Sequence, residues 1–257
     1  MTTITLPNDL TVTITEHGDP TGGSAALVLH GGAGPRSVAG LADALAEHAF
    51  VVVPTHPGFD GTPRPEWLDS VPDLATAYLD LIDALNLTEV SVYGSSIGGW
   101  LAAEMAVRDN RRVLRELVLL GATGIEPTAP LEIADPAKIG PVRTGELAFH
   151  NPALRLDPST LTDAQRAVMA ENQRVQALLA PGSFDPKLRG RLHRVTVPVL
   201  VLGGEQDGIV PLAYERDLAN SFPRATFRAI PRAAHFPHIE QPQLVLDEIG
   251  KFRASAG

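Results

Sequence analysis

The chain of 257 residues contains no cysteine. Disulfides, thiolate nucleophiles and cysteine-ligated zinc are therefore excluded. The lack suits a reducing cytoplasm, which is the expected location. Long apolar runs are also missing. The longest, such as Val197–Leu202 with its Pro198, are strand-length, far below the ~20 residues of a membrane span. Met1–Leu10 has neither a basic region nor an apolar stretch, so no secretory signal is expected. Positive charge is in deficit: 21 Lys plus Arg stand against 30 Asp plus Glu, a net charge of -9. Such a chain has no electrostatic reason to seek nucleic acid or an anionic membrane. Arg108, Arg111, Arg112 and Arg115 do cluster, but near a helix end, where cations complement the dipole. No internal repeat or low-complexity tract occurs.

What is present is an alternation. An opening antiparallel pair, Ile4–Leu6 and Thr11–Thr15, flanks Pro7-Asn8-Asp9. Apolar runs then read as buried strands at Ala25–Leu29, Phe50–Val53, Glu89–Tyr93, Glu116–Leu120, Val197–Leu202 and Thr226–Ile230. Between them, helical spacing runs over Val38–His48, Asp73–Leu87, Ile97–Val107, Leu212–Phe222 and Leu244–Phe252. Strands apolar throughout and alternating with helices predict a mostly parallel sheet covered on both faces, an α/β fold. Ligands of such sheets bind at the carboxyl ends of the strands. Residues 124–190 break the rhythm. They are proline-rich and show no strand-like run, and their one strong helix, Asp163–Ala180, opens with a capping box of Thr162 and Gln165. The expected organisation is a core of 1–123 and 191–257 with a helical lid, 124–190, over the reactive edge.

Four motifs fall at that edge. Gly94-Ser95-Ser96-Ile97-Gly98 is a G-x-S-x-G turn between a strand and a helix, the setting of a nucleophile elbow. The glycine frame selects Ser96: Ser95 would need glycine where Tyr93 and Ile97 stand. His30-Gly31-Gly32-Ala33-Gly34 follows a buried strand. Acyl transfer needs two backbone donors for its oxyanion, and Ile97 with Gly32 (Gly31 second) are the candidates. A dinucleotide loop is excluded there, because no G-x-G-x-x-G fits and no acid ends the next strand. His30 itself reads as a structural hydrogen-bonder under this loop. Gly203-Gly204-Glu205-Gln206-Asp207-Gly208 supplies a carboxylate to orient a base, Asp207, with Glu205 as substitute. Arg232-Ala233-Ala234-His235-Phe236-Pro237-His238 supplies the base, His235, with His238 as competitor. A metal site of His56, His235 and His238 lacks any regular ligand spacing. The order Ser96, Asp207, His235 is that of one triad class.

At these motifs the chain resembles the α/β-hydrolase superfamily over nearly its full length, most closely the capped members whose first loop reads His-Gly-Gly. His56-Pro57-Gly58-Phe59-Asp60-Gly61-Thr62 is similar to the family's Pro-Gly-Phe-Gly-x-Ser loop, with a shifted glycine spacing. Gly98-Gly99-Trp100 and His235-Phe236-Pro237-His238-Ile239-Glu240-Gln241-Pro242 add to the likeness. The resemblance implies a serine hydrolase acting on a small-molecule carboxylic ester-like bond through an acyl-enzyme, with no organic cofactor or metal. Dehalogenases and epoxide hydrolases of this fold use aspartate where Ser96 stands. Prolyl aminopeptidases carry proline where Ala33 stands. The alternatives are C–C bond hydrolysis or cofactor-free perhydrolysis by the same triad, or a low-turnover binding protein. Phe59 and Phe236 are the expected pocket-lining aromatics.

Overall fold

The computed structural model describes residues 1–256. Its strands in chain order are β1 (Thr2–Thr5), β2 (Thr11–His17), β3 (Ala25–Leu29), β4 (Phe50–Thr55), β5 (Val90–Ser95), β6 (Leu114–Leu120), β7 (Gly124–Ile125), β8 (Phe184–Asp185), β9 (Val199–Gly204) and β10 (Ala225–Ile230). Its helices are α1 (Ala39–Leu45), α2 (Val71–Ala84), α3 (Ile97–Arg108), α4 (Pro136–Ala148), α5 (Asp163–Leu179), α6 (Leu212–Asn220), α7 (Pro237–Glu240) and α8 (Pro242–Ala256). Eight strands form one sheet in the order β1-β2-β4-β3-β5-β6-β9-β10. β2 runs antiparallel to β1 and β4, and the remaining pairings are parallel.

Side chains alternate across the sheet, as the strand period of two requires. Leu27, Leu29, Val92, Leu117 and Leu119 face a layer containing Leu74, Tyr78 and Leu81 of α2 and Leu101 of α3. Val28, Val51, Tyr93, Val118 and Leu200 face the other layer, with Leu41 and Leu45 of α1 and Val245, Ile249 and Phe252 of α8. Both faces are thus buried, which is why the central strands read as unbroken apolar runs. The fold is that of an α/β-hydrolase: a mostly parallel sheet with helices on both sides.

Element ends differ from the sequence expectation where proline is involved. α2 starts at Val71, because Pro72 is tolerated in a first turn and Ser70 caps it by accepting from the Asp73 N–H. In 124–190 two features went unexpected. β7 and β8 form a short parallel pair, Gly124 opposite Phe184 and Ile125 opposite Asp185, closing the neck of the excursion. α4 is a helix kinked at Gly140, whose φ is 77°, ahead of an internal Pro141. That break hides the helical period.

Candidate active site

The carboxyl ends of the six parallel strands, β3, β4, β5, β6, β9 and β10, meet at one edge. β5 delivers Ser96 through the elbow. The fit is too close for any Cβ at Gly98, which would stand 2.3 Å from the Leu29 carbonyl oxygen. Ser96 itself has φ 56° and ψ -122°, a conformation that costs a non-glycine residue about 1–3 kcal/mol. The turn is held by the Ser96 N–H donating to the Leu120 carbonyl at 2.9 Å, and by Gly99 donating back to the Ser96 carbonyl at 2.9 Å. Strain at one hydroxyl-bearing residue, locked by the ends of two strands, is what exposes the Oγ above the sheet.

Beside it, His235 Nε2 lies 3.0 Å from Ser96 Oγ, and His235 Nδ1 lies 2.9 Å from Asp207 Oδ2. The Asp207 side chain is wholly shielded from solvent. Its other oxygen accepts from the N–H groups of Ile209 at 2.8 Å and Val210 at 2.9 Å. A carboxylate so held only accepts, so it draws the imidazole proton to Nδ1 and leaves Nε2 free to take one from Ser96. This is a continuous proton relay capable of generating a serine nucleophile. Glu205 is exposed. His238 is buried and turned away, with Nε2 donating to the Ser37 carbonyl at 3.0 Å. Burial pushes its pKa down to about 4.

Opposite the relay lies the 30–34 loop. Gly34 N–H closes it on the Gly31 carbonyl at 3.1 Å. Gly31 packs against the Ser96 side chain, and Gly32 faces the open side. Ile97 opens α3, where a backbone N–H has no intrahelical acceptor. Beneath the loop, His30 and His56 stack with ring centroids 3.7 Å apart. His30 Nδ1 donates to the Gly31 carbonyl at 2.7 Å, while its Nε2 accepts from the His56 N–H at 3.0 Å. His56 Nε2 donates to the His30 carbonyl, and its Nδ1 accepts from the Tyr78 hydroxyl, each at 2.8 Å. Every ring nitrogen is satisfied by a neutral tautomer. Desolvation brings His30 to about 4 and, together with the neighbouring His30, holds His56 well below the usual histidine range.

Ser96 and His235 open into a cavity of about 350 Å³. α4, α5 and the 149–158 stretch supply its outer wall, through residues such as Pro141, Ala148, Phe149, Leu154 and Met169. Among the described residues that line it there is no Asp, Glu, Lys or Arg. α5 is fastened over the edge by two 2.8 Å hydrogen bonds between Asn172 and Asp60.

A profile of the alpha/beta hydrolase family matches residues 26–248. The chain belongs to that family. It is 27% identical to a 2-hydroxymuconate semialdehyde hydrolase of Pseudomonas putida, over 91% of this chain and 88% of the relative. It is 28% identical to a pimeloyl-acyl-carrier-protein methyl ester esterase of Aromatoleum aromaticum, over 84% of this chain and 93% of the relative. The structure of a thermophilic esterase from Thermogutta terrifontis superposes with a TM-score of 0.74 and 23% identity, over 99% of this chain and 98% of that one. The chain is an α/β-hydrolase enzyme.

Two aromatic residues of this hydrolase part company. Phe236 lines the cavity, its ring 5.1 Å from that of Phe149. Phe59, expected there too, does not. It is fully buried and packs edge-on against His30 at 5.0 Å and His56 at 5.7 Å. The left-handed residues Gly58 and Asp60 on either side turn its ring inward, into the core under the 30–34 loop. The sequence reading also missed two wall residues. Gln176 of α5 reaches the 30–34 loop: a Cβ on Gly32 would meet its Oε1 at 1.8 Å. Thr123 carries a buried hydroxyl with no partner on the cavity wall. Gln176 lies on the same face of α5 as Asn172, four residues earlier, so a helix-face reading of residues 163–180 could have marked it. Nothing in the sequence marks Thr123.

Proposed function

We propose that this hydrolase cleaves uncharged, small-molecule carboxylic esters through an acyl-enzyme, with Ser96 as nucleophile, His235 as base and Asp207 as its orienting acid. One observation carries the reading: the Ser96–His235–Asp207 relay opens into a cavity among whose described lining residues there is no Asp, Glu, Lys or Arg. Ser96 Oγ attacks the ester carbonyl while its proton passes to His235 Nε2. The N–H groups of Ile97 and Gly32 receive the oxyanion, each contributing roughly 3–4 kcal/mol. His235 returns the proton to the departing alcohol. A water then attacks the acyl-enzyme with the same base, and Ser96 is restored. Residues 124–190 act as a cap that shapes the acyl site, with Phe236 and Gln176 on its wall.

C–C bond hydrolysis uses the same relay, and the name of the Pseudomonas relative points to it. Muconate is by name a carboxylate, and a buried carboxylate without a cation costs several kcal/mol. The uncharged wall therefore favours the ester reading.

The test is hydrolysis of p-nitrophenyl esters of short uncharged acids, set beside esters of equal length that end in a carboxylate. The uncharged series should turn over, and the charged partners should lose about 100-fold or more in kcat/KM. Ser96→Ala should lose roughly 10⁴-fold or more in kcat. A retained rate in Ser96→Ala refutes the relay. Inertness on every ester, with Ser96-dependent cleavage of a 2-hydroxy-6-oxo-dienoate, replaces the ester reading by the C–C one.

A further inference from the structure

Glu215 is a carboxyl group placed where a charge has little support. It stands in the first turn of α6 and is fully buried. No donor meets either oxygen in good hydrogen-bond geometry, and the Gly121 N–H that faces it is already given to the Leu202 carbonyl at 3.1 Å. Buried polar groups are almost always paired, so such an orphan needs a reason. Space for it comes from Gly203, near the end of β9, where a Cβ would stand 2.0 Å from the carboxyl oxygen. The strand it leans on is the one that delivers Asp207.

On its other side is the turn after β6. The N–H groups of Gly121 and Ala122 face the carboxyl. The opposite face of Gly121 touches His235: a Cβ there would meet the His235 carbonyl oxygen at 2.6 Å and Nδ1 at 3.1 Å. The same turn accepts the Ser96 N–H at Leu120. At Gly121, then, only glycine backbone stands between Glu215 and His235.

The ionisable groups facing it do not favour its charge. Asp207 comes from the β9–α6 loop, and His235, from the loop after β10, already answers Asp207. Tyr214, its neighbour on α6, gives its hydroxyl to the Ile125 carbonyl at 2.8 Å. Arg189 beyond it is paired to Asp217. The 120–123 turn carries no ionisable side chain. Burial first, and the nearby Asp207 charge second, hold the Glu215 carboxyl well above the usual range, with the two facing N–H groups opposing.

We propose that Glu215 is a positioning residue for the relay: it is held as the neutral acid beneath the strand ends that carry Asp207 and His235, so that Asp207 alone bears negative charge there. The inference rests on Asp207 serving as the orienting acid. In the working state the imidazolium of His235 forms against a single carboxylate. When Glu215 gives its proton to solvent at alkaline pH, two buried anions share one corner. Their repulsion acts on the place of Asp207, and kcat falls. Substrate binding is untouched, because Glu215 is not on the cavity wall.

Two measurements on the full chain test this. In the first, kcat and KM for an uncharged p-nitrophenyl ester are followed from acid to alkaline pH in wild type and Glu215→Gln, which fills the same space and cannot ionise. Near neutrality the two kcat values should agree within about threefold. The alkaline fall of wild type should move up by about one pH unit or more in the variant, with KM unchanged. A residue that only fills space would leave the alkaline limb in place, so coincident limbs overturn the proposal. The second measurement needs no variant and no substrate. Isotope-labelled glutamate carboxyls of the wild type are titrated by NMR. One glutamate should stay protonated at neutral pH and ionise only on the alkaline side. If every glutamate is ionised at neutral pH, the proposal is wrong whatever the enzyme hydrolyses. If esters prove inert, that outcome strikes the ester reading alone, and the carboxyl titration still decides the state of Glu215.

Discussion

Asn172 and Asp60, 112 residues apart in the chain, hold each other through two hydrogen bonds of 2.8 Å: the Asp60 N–H donates to Asn172 Oδ1, and Asn172 Nδ2 donates to Asp60 Oδ1. The pair fixes α5 to the loop after β4, at a residue with the left-handed φ of 50°. Gln176, one turn further along α5, stands against Gly32 beside this fastening. Asn172 is buried and Asp60 exposed, so removing Asn172 forfeits the two hydrogen bonds themselves, a loss of about 1–3 kcal/mol. Asn172→Leu should lower stability by that amount in denaturant titration. It should also raise KM for uncharged esters several-fold, more than it lowers kcat, and speed proteolytic cleavage within residues 124–190.

Ser96 is strained in a region of φ and ψ that glycine enters freely. Ser96→Gly should therefore fold into a more stable protein than wild type. The relieved strain of about 1–3 kcal/mol exceeds the added chain entropy of about 0.5–1 kcal/mol. Thermal unfolding should show a higher midpoint, while esterase activity falls roughly 10⁴-fold or more. A lower midpoint would mean the elbow geometry is not stored strain.

His30, His56 and His238 are neutral because they are buried, and their folded pKa values lie below the unfolded 6.5. The sign follows directly. Stability from these groups is complete above pH 6.5 and is lost as the pH falls toward about 4, where the unfolded chain binds protons that the folded chain refuses. For His30 and His238 the loss is roughly 3 kcal/mol each. Urea unfolding at stepped pH should show stability declining through this window. His238→Gln should flatten the decline by its share.

Gly32 and Gln176 leave no room for each other's enlargement. Gly32→Ala forces the Gln176 amide aside, since the new Cβ would stand 1.8 Å from Oε1. Activity should drop about tenfold or more. Gln176→Ala in the same chain should recover part of that loss, a coupling readable in a double-mutant cycle. Strict additivity would show that the Gly32 effect arises at the oxyanion donor alone.

The readable parts of this molecule are those where one residue type is geometrically compulsory. The Ser96 elbow and its glycines could be found by spacing, and Asp207 and His235 by their loops after successive strands and by the chain order of the three residues. α4 was hidden because Gly140 and Pro141 interrupt its period, although the chain remains helical on both sides of the kink. Phe59 was misplaced because a loop aromatic near a reactive edge gives no sign of which way two left-handed neighbours will turn it. Glu215 was invisible for a simpler reason: in Leu212-Ala213-Tyr214-Glu215-Arg216-Asp217-Leu218 a glutamate looks like one more solvated residue. Only the missing side chain at Gly203, on a different element, reveals the space it fills.

The last turn of α4 offers two carbonyls to the core. Leu147 accepts from the Gly208 N–H at 3.1 Å, and Ala148 from the His235 N–H at 3.0 Å. The loops that carry Asp207 and His235 are thus both hung from one end of α4. An engineer who transplants a different segment between β6 and β9 to change selectivity would be cutting these suspensions as well. The graft junction belongs after Ala148, so that the exchangeable piece begins with the 149–158 stretch and α5, and the first half of the excursion stays with the scaffold.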